Sequence, residues 1–114
     1  MDYENSIIDI IVENIKNTLE IINSEQPEGT EYEWEPVQMP ATNSTAQMTV
    51  KKVSEDAWSY KLKARSLIET RTHQQMYGSG TVEQMESLLK NTTPEEWYDR
   101  LKKVARDCDG FYYP

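Results

Sequence analysis

Apolar residues recur at three- and four-residue steps over the first helix-length segment of the chain, which is the spacing of one helix face. They are Ile8, Ile11, Ile15, Leu19 and Ile22. This pattern predicts an amphipathic helix over residues 4–23. Isoleucine has only moderate helix propensity, so we expect packing of the stripe to supply most of the stability of this helix.

The next segment changes character, because prolines and Gly29 interrupt any helix between residues 24 and 40. Tyr32 and Trp34 alternate with three glutamates, which predicts a short strand over residues 31–35. Apolar residues alternate with polar ones again over residues 46–53. We therefore predict that these two segments form one small antiparallel strand pair.

A long helix is predicted over residues 55–77, with Ser54 as its N-cap and two acidic residues in its first turn. It would end at Gly78, the first glycine of a Gly-Ser-Gly triplet. The side chains that this helix would bury are Trp58, Leu62, Leu67, Ile68 and Met76.

Two capping sequences mark the starts of the last two helices, predicted over residues 82–91 and 94–108. Thr81 with Gln84 and Thr93 with Glu96 both have the spacing of a capping box. Pro94 follows Thr93 at the first helical position, where proline is favoured. Together these elements predict one domain, residues 1–114, of an α-rich α+β fold with about four helices and the single strand pair.

Net charge limits the partners that we expect. The 114 residues include 20 acidic and 12 basic side chains, for a formal net charge of −8. Such a charge repels nucleic acid and anionic membranes, so we expect neither as a direct ligand and predict a protein partner with a basic surface. No apolar stretch approaches the length of a membrane span, and Met1-Asp2-Tyr3-Glu4 lacks a basic signal-peptide region. With Cys108 as the single cysteine, we expect a cytoplasmic protein, in the host cytoplasm if the chain is viral.

Catalytic groups are scarce, since the chain has one histidine, His73, and one cysteine, Cys108. Cys108 falls on the apolar stripe of the last predicted helix, where cysteine behaves as a small hydrophobic residue. His73 falls near the end of the predicted long helix, where a cation complements the helix dipole. We therefore predict no enzyme activity, no metal site and no cofactor.

The charges are unevenly distributed along the chain, with ten acidic residues and one basic residue before position 36. The predicted partner-binding residues are the acids and aromatics of this part, namely Tyr3, Glu31, Tyr32, Glu33, Trp34 and Glu35. In the alternative interpretation, the acidic segment packs inside the monomer against a basic group of residues. That group is Lys61, Lys63, Arg65 and Arg71.

Three functional hypotheses follow from these features. The leading one is a small acidic regulator or inhibitor that occupies a basic protein surface, and in size and composition the chain resembles phage anti-host or anti-defence proteins and immunity proteins. The second is a structural or assembly subunit, including a homo-oligomer, with the tail aromatics Phe111, Tyr112 and Tyr113 either covering the core or forming a contact patch. The third is a binder of a phosphate-bearing ligand, with Lys61 and Arg65 as candidate anion-binding residues on the middle helix.

Overall fold

The computed structural model describes residues 3–110, which form three helices and a five-stranded antiparallel sheet. The helices are α1 (Tyr3–Ile22), α2 (Val82–Asn91) and α3 (Pro94–Gly110). The strands are β1 (Glu31–Glu33), β2 (Val37–Gln38), β3 (Ser44–Ser54), β4 (Ala57–Ser66) and β5 (Thr72–Thr81). The tail aromatics of the assembly hypothesis lie outside the described residues.

Strands β3, β4 and β5 form a meander, and β1 and β2 both pair with the outer side of β3. The sheet order is therefore β1-β3-β4-β5, with β2 continuing the β1 edge. Glu31 lies opposite Lys51, and Thr49 lies opposite Lys61. Because these strands are antiparallel and adjacent, short turns suffice to connect the meander.

The predicted helix over residues 55–77 is wrong, and with it the prediction of about four helices and one small strand pair. Residues 57–66 form β4 and residues 72–81 form β5. Every second side chain of β4 from Trp58 to Ser66 points to the core, Tyr60 being only half-buried, and the others point away. That period of two was present in the sequence, but the helical spacing of Trp58 and Leu62 concealed it.

Local turn chemistry explains the same error at the start of this segment. The sequence predicts a helix N-terminus at Ser54, Glu55 and Asp56, but Ser54 ends β3 and the two acidic residues form the turn to β4. Serine and aspartate favour turns and helix caps for the same reason, because their side chains bond to nearby backbone. The apolar residues Leu67 and Ile68, predicted to be buried, lie in the β4–β5 connection with 54% and 64% exposure.

The predictions for the last two helices are confirmed. Thr81 and Gln84 form a complete capping box at the start of α2. At the start of α3, the Glu96 amide donates to the Thr93 hydroxyl oxygen, and the Glu96 carboxylate accepts from the Thr93 amide. The predicted stripe of α3 is buried, and its members are Trp97, Leu101, Val104, Ala105 and Cys108.

All three helices lie on one face of the sheet, and α3 crosses β3, β4 and β5 while α1 packs on α2 and α3. The core between these layers contains three buried tryptophans, Trp34, Trp58 and Trp97. Within the described residues, no element covers the opposite face of the sheet, which we call the open face. Its members on the two central strands are Gln47, Thr49, Lys51, Ser59, Lys61, Lys63 and Arg65.

Candidate functional site

Trp34, which we predicted as a partner-binding residue, belongs to the core. Its ring is 1% exposed and packs edge-on against Trp97, with the ring centroids 5.4 Å apart. Tyr32 is half-buried and lies on the same face. We call β1 together with the two residues that follow it, Trp34 and Glu35, the edge strand. The alternation of these aromatics with glutamates therefore separates core from solvent, and Trp34 cannot serve as an exposed anchor.

A buried polar network fixes α1 against this edge strand. The Trp34 indole nitrogen donates to the Thr18 hydroxyl oxygen at 2.8 Å, and that hydroxyl donates to the Asn14 carbonyl oxygen at 2.7 Å. The Asn14 side-chain oxygen accepts from the Tyr32 hydroxyl at 3.1 Å and from the Glu35 amide at 3.2 Å. Buried polar groups that are paired in this way hold neighbouring elements in one register.

The acids of the N-terminal third lie on the outside of this junction, on α1, on the α1–β1 loop and on the edge strand. Nine of them are exposed, and the eight that follow Glu4 are Asp9, Glu13, Glu20, Glu25, Glu28, Glu31, Glu33 and Glu35. The ion pairs found in residues 3–110 involve Glu69, Glu86 and Asp107 and none of these eight. We call this group of eight the acidic edge.

Part of the acidic edge surrounds a cleft of about 320 Å³ between α1 and β1. Its lining residues are Ile10, Glu13, Asn14, Asn17, Tyr32, Glu33 and Glu35. Three carboxylates with amide and hydroxyl groups between them suit a guanidinium or ammonium group, which donates several hydrogen bonds. We call this feature the acidic cleft. Tyr3, the first residue of α1, does not line this cleft. Its hydroxyl donates to the Gln38 carbonyl oxygen, and its side chain is 53% exposed.

The candidate anion-binding residues Lys61 and Arg65 lie on a strand and not on the predicted middle helix. Both belong to β4 and point to the open face, with Lys63 between them. The helix α1 packs against α2 and α3, on the other side of the sheet. The alternative in which the acidic helix covers Lys61, Lys63 and Arg65 therefore does not hold for these three cations.

The two potentially reactive side chains named from the sequence, Cys108 and His73, both contact neighbouring protein groups. Cys108 is a free, buried thiol whose sulfur donates to the Arg71 carbonyl oxygen at 3.8 Å. His73 lies in β5 rather than at a helix end, with a ring nitrogen 3.1 Å from the Gln75 amide nitrogen. Within residues 3–110, no group of three or more His, Cys, Asp or Glu side chains is placed to hold a metal ion.

Asp107 is the one carboxyl whose pKa is clearly displaced among the residues described. Its partial burial raises the pKa, but hydrogen bonds from Lys103 and Gln75 and the nearby positive charge of Lys103 outweigh that effect. The pKa therefore lies below the ordinary aspartate value. Lys103 approaches the carboxylate at 3.1 Å from the preceding turn of α3, so the pair is a helix-surface ion pair.

A second cleft, of about 430 Å³, lies between β5 and the helices α2 and α3. Leu62, Met76 and Leu88 give it an apolar lining, and Arg100 and Lys103 add positive charge. The Arg100 guanidinium lies 5.2 Å from the centroid of the Trp97 ring, so stacking on the indole occupies one face of this cation.

Comparisons with protein-family models, with curated proteins and with solved structures find no match to this chain. None of the helices in residues 3–110 is long and apolar enough to cross a membrane.

Sequence reasoning did not identify Asn14 and Thr18, which carry the α1 network, or Tyr77 on the open face. It named Lys63 as a basic residue but not as an anion-binding candidate beside Lys61 and Arg65. The alternation in residues 57–66 could have identified Lys63 as a neighbour of Lys61 and Arg65. No local signal could have identified Asn14, because its partners are 18 and 21 residues away along the chain.

Proposed function

We propose that the protein is a non-enzymatic binding protein whose acidic edge occupies a basic surface on a protein partner, as a regulator or inhibitor of that partner. The observation that carries this proposal is the set of eight exposed carboxylates on one side of the molecule, none of which has an ion-pair partner within residues 3–110. An uncompensated charge of this kind accelerates association with a surface of opposite sign.

The acidic cleft supplies the specific element of the proposed contact. Glu13, Glu33 and Glu35 come from two different elements, and the Asn14 hydrogen bonds hold those elements together. A lysine or arginine side chain of the partner would enter the cleft and exchange its water for carboxylate hydrogen bonds. Such buried charged contacts contribute more to affinity than the exposed acids around them, which mainly increase the association rate.

Cys108 is a free thiol, and free thiols are typical of reducing compartments such as the cytoplasm. We therefore infer a cytoplasmic site of action. A viral chain would act in the host cytoplasm. Anti-host and anti-defence proteins of phages, and immunity proteins, are the classes whose size and acidity this chain shares.

Affinity capture with matched charge variants tests the proposal. The first variant combines Glu13→Gln, Glu33→Gln and Glu35→Gln, and the control combines Glu55→Gln, Glu83→Gln and Asp99→Asn, which are also exposed. Both variants lose three negative charges, so only the location of the charges differs. We expect a basic protein to be retained by the wild type and the control at about 0.1 M salt and released near 1 M, where screening is strong.

The cleft variant should lose that protein under the same conditions. Equal retention by the two variants would mean that net charge, and not the acidic cleft, controls the interaction. If no basic protein is retained at low salt from any candidate host, the proposed function is wrong.

An assembly subunit is the second candidate, because β5 is an edge strand of ten residues without Asp, Glu, Lys, Arg or Pro. Exposed edges usually carry such residues, which prevent pairing with another strand. Antiparallel pairing of β5 with β5 of a second copy would extend the sheet. Sedimentation of the wild type and of a Gln74→Lys, Ser79→Lys variant tests this pairing, and a wild type that is monomeric at high concentration excludes self-assembly through β5.

A further inference from the structure

A row of three cations runs along the central strand β4 on the open face of the sheet. Lys61, Lys63 and Arg65 alternate with the buried residues Leu62 and Ala64. Neighbouring members of the row are therefore about 7 Å apart along the strand. Within residues 3–110 none of the three has a carboxylate within ion-pair distance. We call these three residues the cation row.

The strands on either side of the cation row present neutral side chains to it. Thr49 lies opposite Lys61, Gln47 lies opposite Lys63, and Gln74 lies opposite Lys63 on the other side. The acids of the open face, Glu31 and Glu33, lie on β1, two strands away from the row. Two strand spacings are about 10 Å, which is close to the Debye length at 0.1 M salt, so screening weakens the effect of these acids on the row. Glu31 nevertheless lines one cleft with Lys61 and offsets part of the charge at that end of the row.

An exposed aromatic ring lies beside the cation row because β5 contains an irregularity. Between the pairs Tyr60–Gly78 and Leu62–Gln75 the register shifts by one residue, and Met76 has a φ of 56°. Strict alternation from the inward-facing Gln75 would turn Tyr77 towards the helices, whereas the extra residue turns it to the open face.

Tyr77 is 67% exposed, and its hydroxyl donates to the Gln74 side-chain oxygen at 3.3 Å, which holds the ring against the sheet. With Lys61, Lys51 and the acidic Glu31 it lines a cleft of about 180 Å³ on the open face. A ring that is both exposed and oriented is suited to stacking, because little conformational entropy remains to be lost.

We propose that the open face binds a short single-stranded nucleic acid, with its phosphates on the cation row and a base stacked on Tyr77. Cations spaced along one strand suit the successive phosphates of an extended chain, and every base has a face that can stack on an aromatic ring. An acidic peptide would be attracted by the same cations but has no group that requires Tyr77. The proposal replaces our sequence-based expectation that nucleic acid is not a direct ligand.

The net charge of −8 opposes the approach of nucleic acid. It repels a polyanion at long distance, so binding is confined to short contacts with the cation row and is weak at high salt. The acidic cleft between α1 and β1 shares no lining residue with the cleft at Tyr77, so the open face can fail to bind nucleic acid while the acidic cleft still binds a protein.

Fluorescence anisotropy with labelled oligothymidylate and oligouridylate of about ten nucleotides tests the proposal at about 50 and 200 mM salt. Three phosphate contacts on a single strand give a slope of log affinity against log salt of roughly −2. We therefore expect the wild type to bind about 20-fold more weakly at the higher salt concentration.

Two charge-matched variants locate the contacts. The variant Lys61→Gln, Lys63→Gln should reduce the slope to roughly −0.7, because one phosphate contact remains. The control Lys16→Gln, Arg106→Gln removes the same charge from exposed helix positions and should keep the wild-type slope. Thermal melts of both variants verify that each is folded.

Tyr77→Ala should weaken binding by at least about fivefold without changing the slope, since stacking does not release counterions. Absence of binding at the lower salt concentration, or an equal loss in the two charge-matched variants, would overturn the proposal. It would also be overturned if a polyglutamate peptide competed as well as the oligonucleotide and Tyr77→Ala bound both normally, since that result identifies an acidic peptide as the ligand.

Discussion

Replacing Thr18 by valine tests whether the hydrogen bond between α1 and the edge strand stabilises the fold. Thr18 is fully buried, and its hydroxyl accepts from the Trp34 indole nitrogen at 2.8 Å. Valine has nearly the same volume, so the change removes the hydroxyl without leaving a cavity. The Trp34 donor then stays buried with no acceptor in its previous position.

The expected cost follows from that unpaired donor. A buried group that loses its partner destabilises a protein by about 1–3 kcal/mol, which is more than the net value of an ordinary hydrogen bond. In a domain of this size each kcal/mol lowers the melting temperature by about 4 °C. We therefore expect Thr18→Val to melt roughly 4–12 °C below the wild type and to unfold at a lower urea concentration.

Two further variants separate the hydrogen bond from packing. Thr18→Ser keeps the hydroxyl and loses one buried methyl group, which costs about 0.8 kcal/mol. In a Trp34→Phe background the donor is absent, so Thr18→Val should cost clearly less than it does in the wild type. The reasoning is refuted if Thr18→Val is no more destabilising than Thr18→Ser, or if its cost is unchanged in the Trp34→Phe background.

Three other predictions concern different parts of the molecule. Gly78→Ala should cost about 1–3 kcal/mol in urea unfolding, because the new Cβ would lie 2.5 Å from Cζ of the Tyr60 ring, and Tyr60→Ala should remove most of that cost. The contacts that lower the pKa of Asp107 stabilise the folded state above the pKa of the unfolded chain, and this stabilisation is lost as the pH falls through the folded-state pKa. The stability difference between wild type and Asp107→Asn should therefore shrink in acid, and a difference independent of pH would contradict this. Native Cys108, at 1% exposure, should react with a thiol reagent far more slowly than in denaturant, and equal rates would show that the buried position is wrong.

The elements that sequence could predict are those held by local interactions. The capping boxes of α2 and α3 join residues three positions apart, and α1 follows from the spacing of its apolar residues. Even in α1 the buried set was only partly predicted, because Asn14 and Thr18 are buried while Ile8 and Ile15 are half-buried. Polar residues enter the core there because β1 and the following Trp34 supply their hydrogen-bond partners.

The meander β4–β5 could not be predicted from the local pattern. Residues 57–66 fit both a strand and a helix at their apolar positions, and pairing with β3 over nearly their whole length selects the strand. Strand pairing depends on contacts between distant residues, which a short window of sequence does not contain. The irregularity at Met76 and the position of Tyr77 depend on the same pairing.

The order of the charges, the scarcity of catalytic side chains and the two capped helices follow from the sequence alone, because each depends on residue identity or on neighbours within one turn. The positions of the charges in space depend on the tertiary structure. It placed the acids of the first third at one edge and the cations of β4 on the opposite, uncovered face of the sheet. A strand sends alternate side chains to opposite faces, so the covering of one face by helices leaves Lys61, Lys63 and Arg65 together on the uncovered face, where Arg65 is exposed and the two lysines are half-buried.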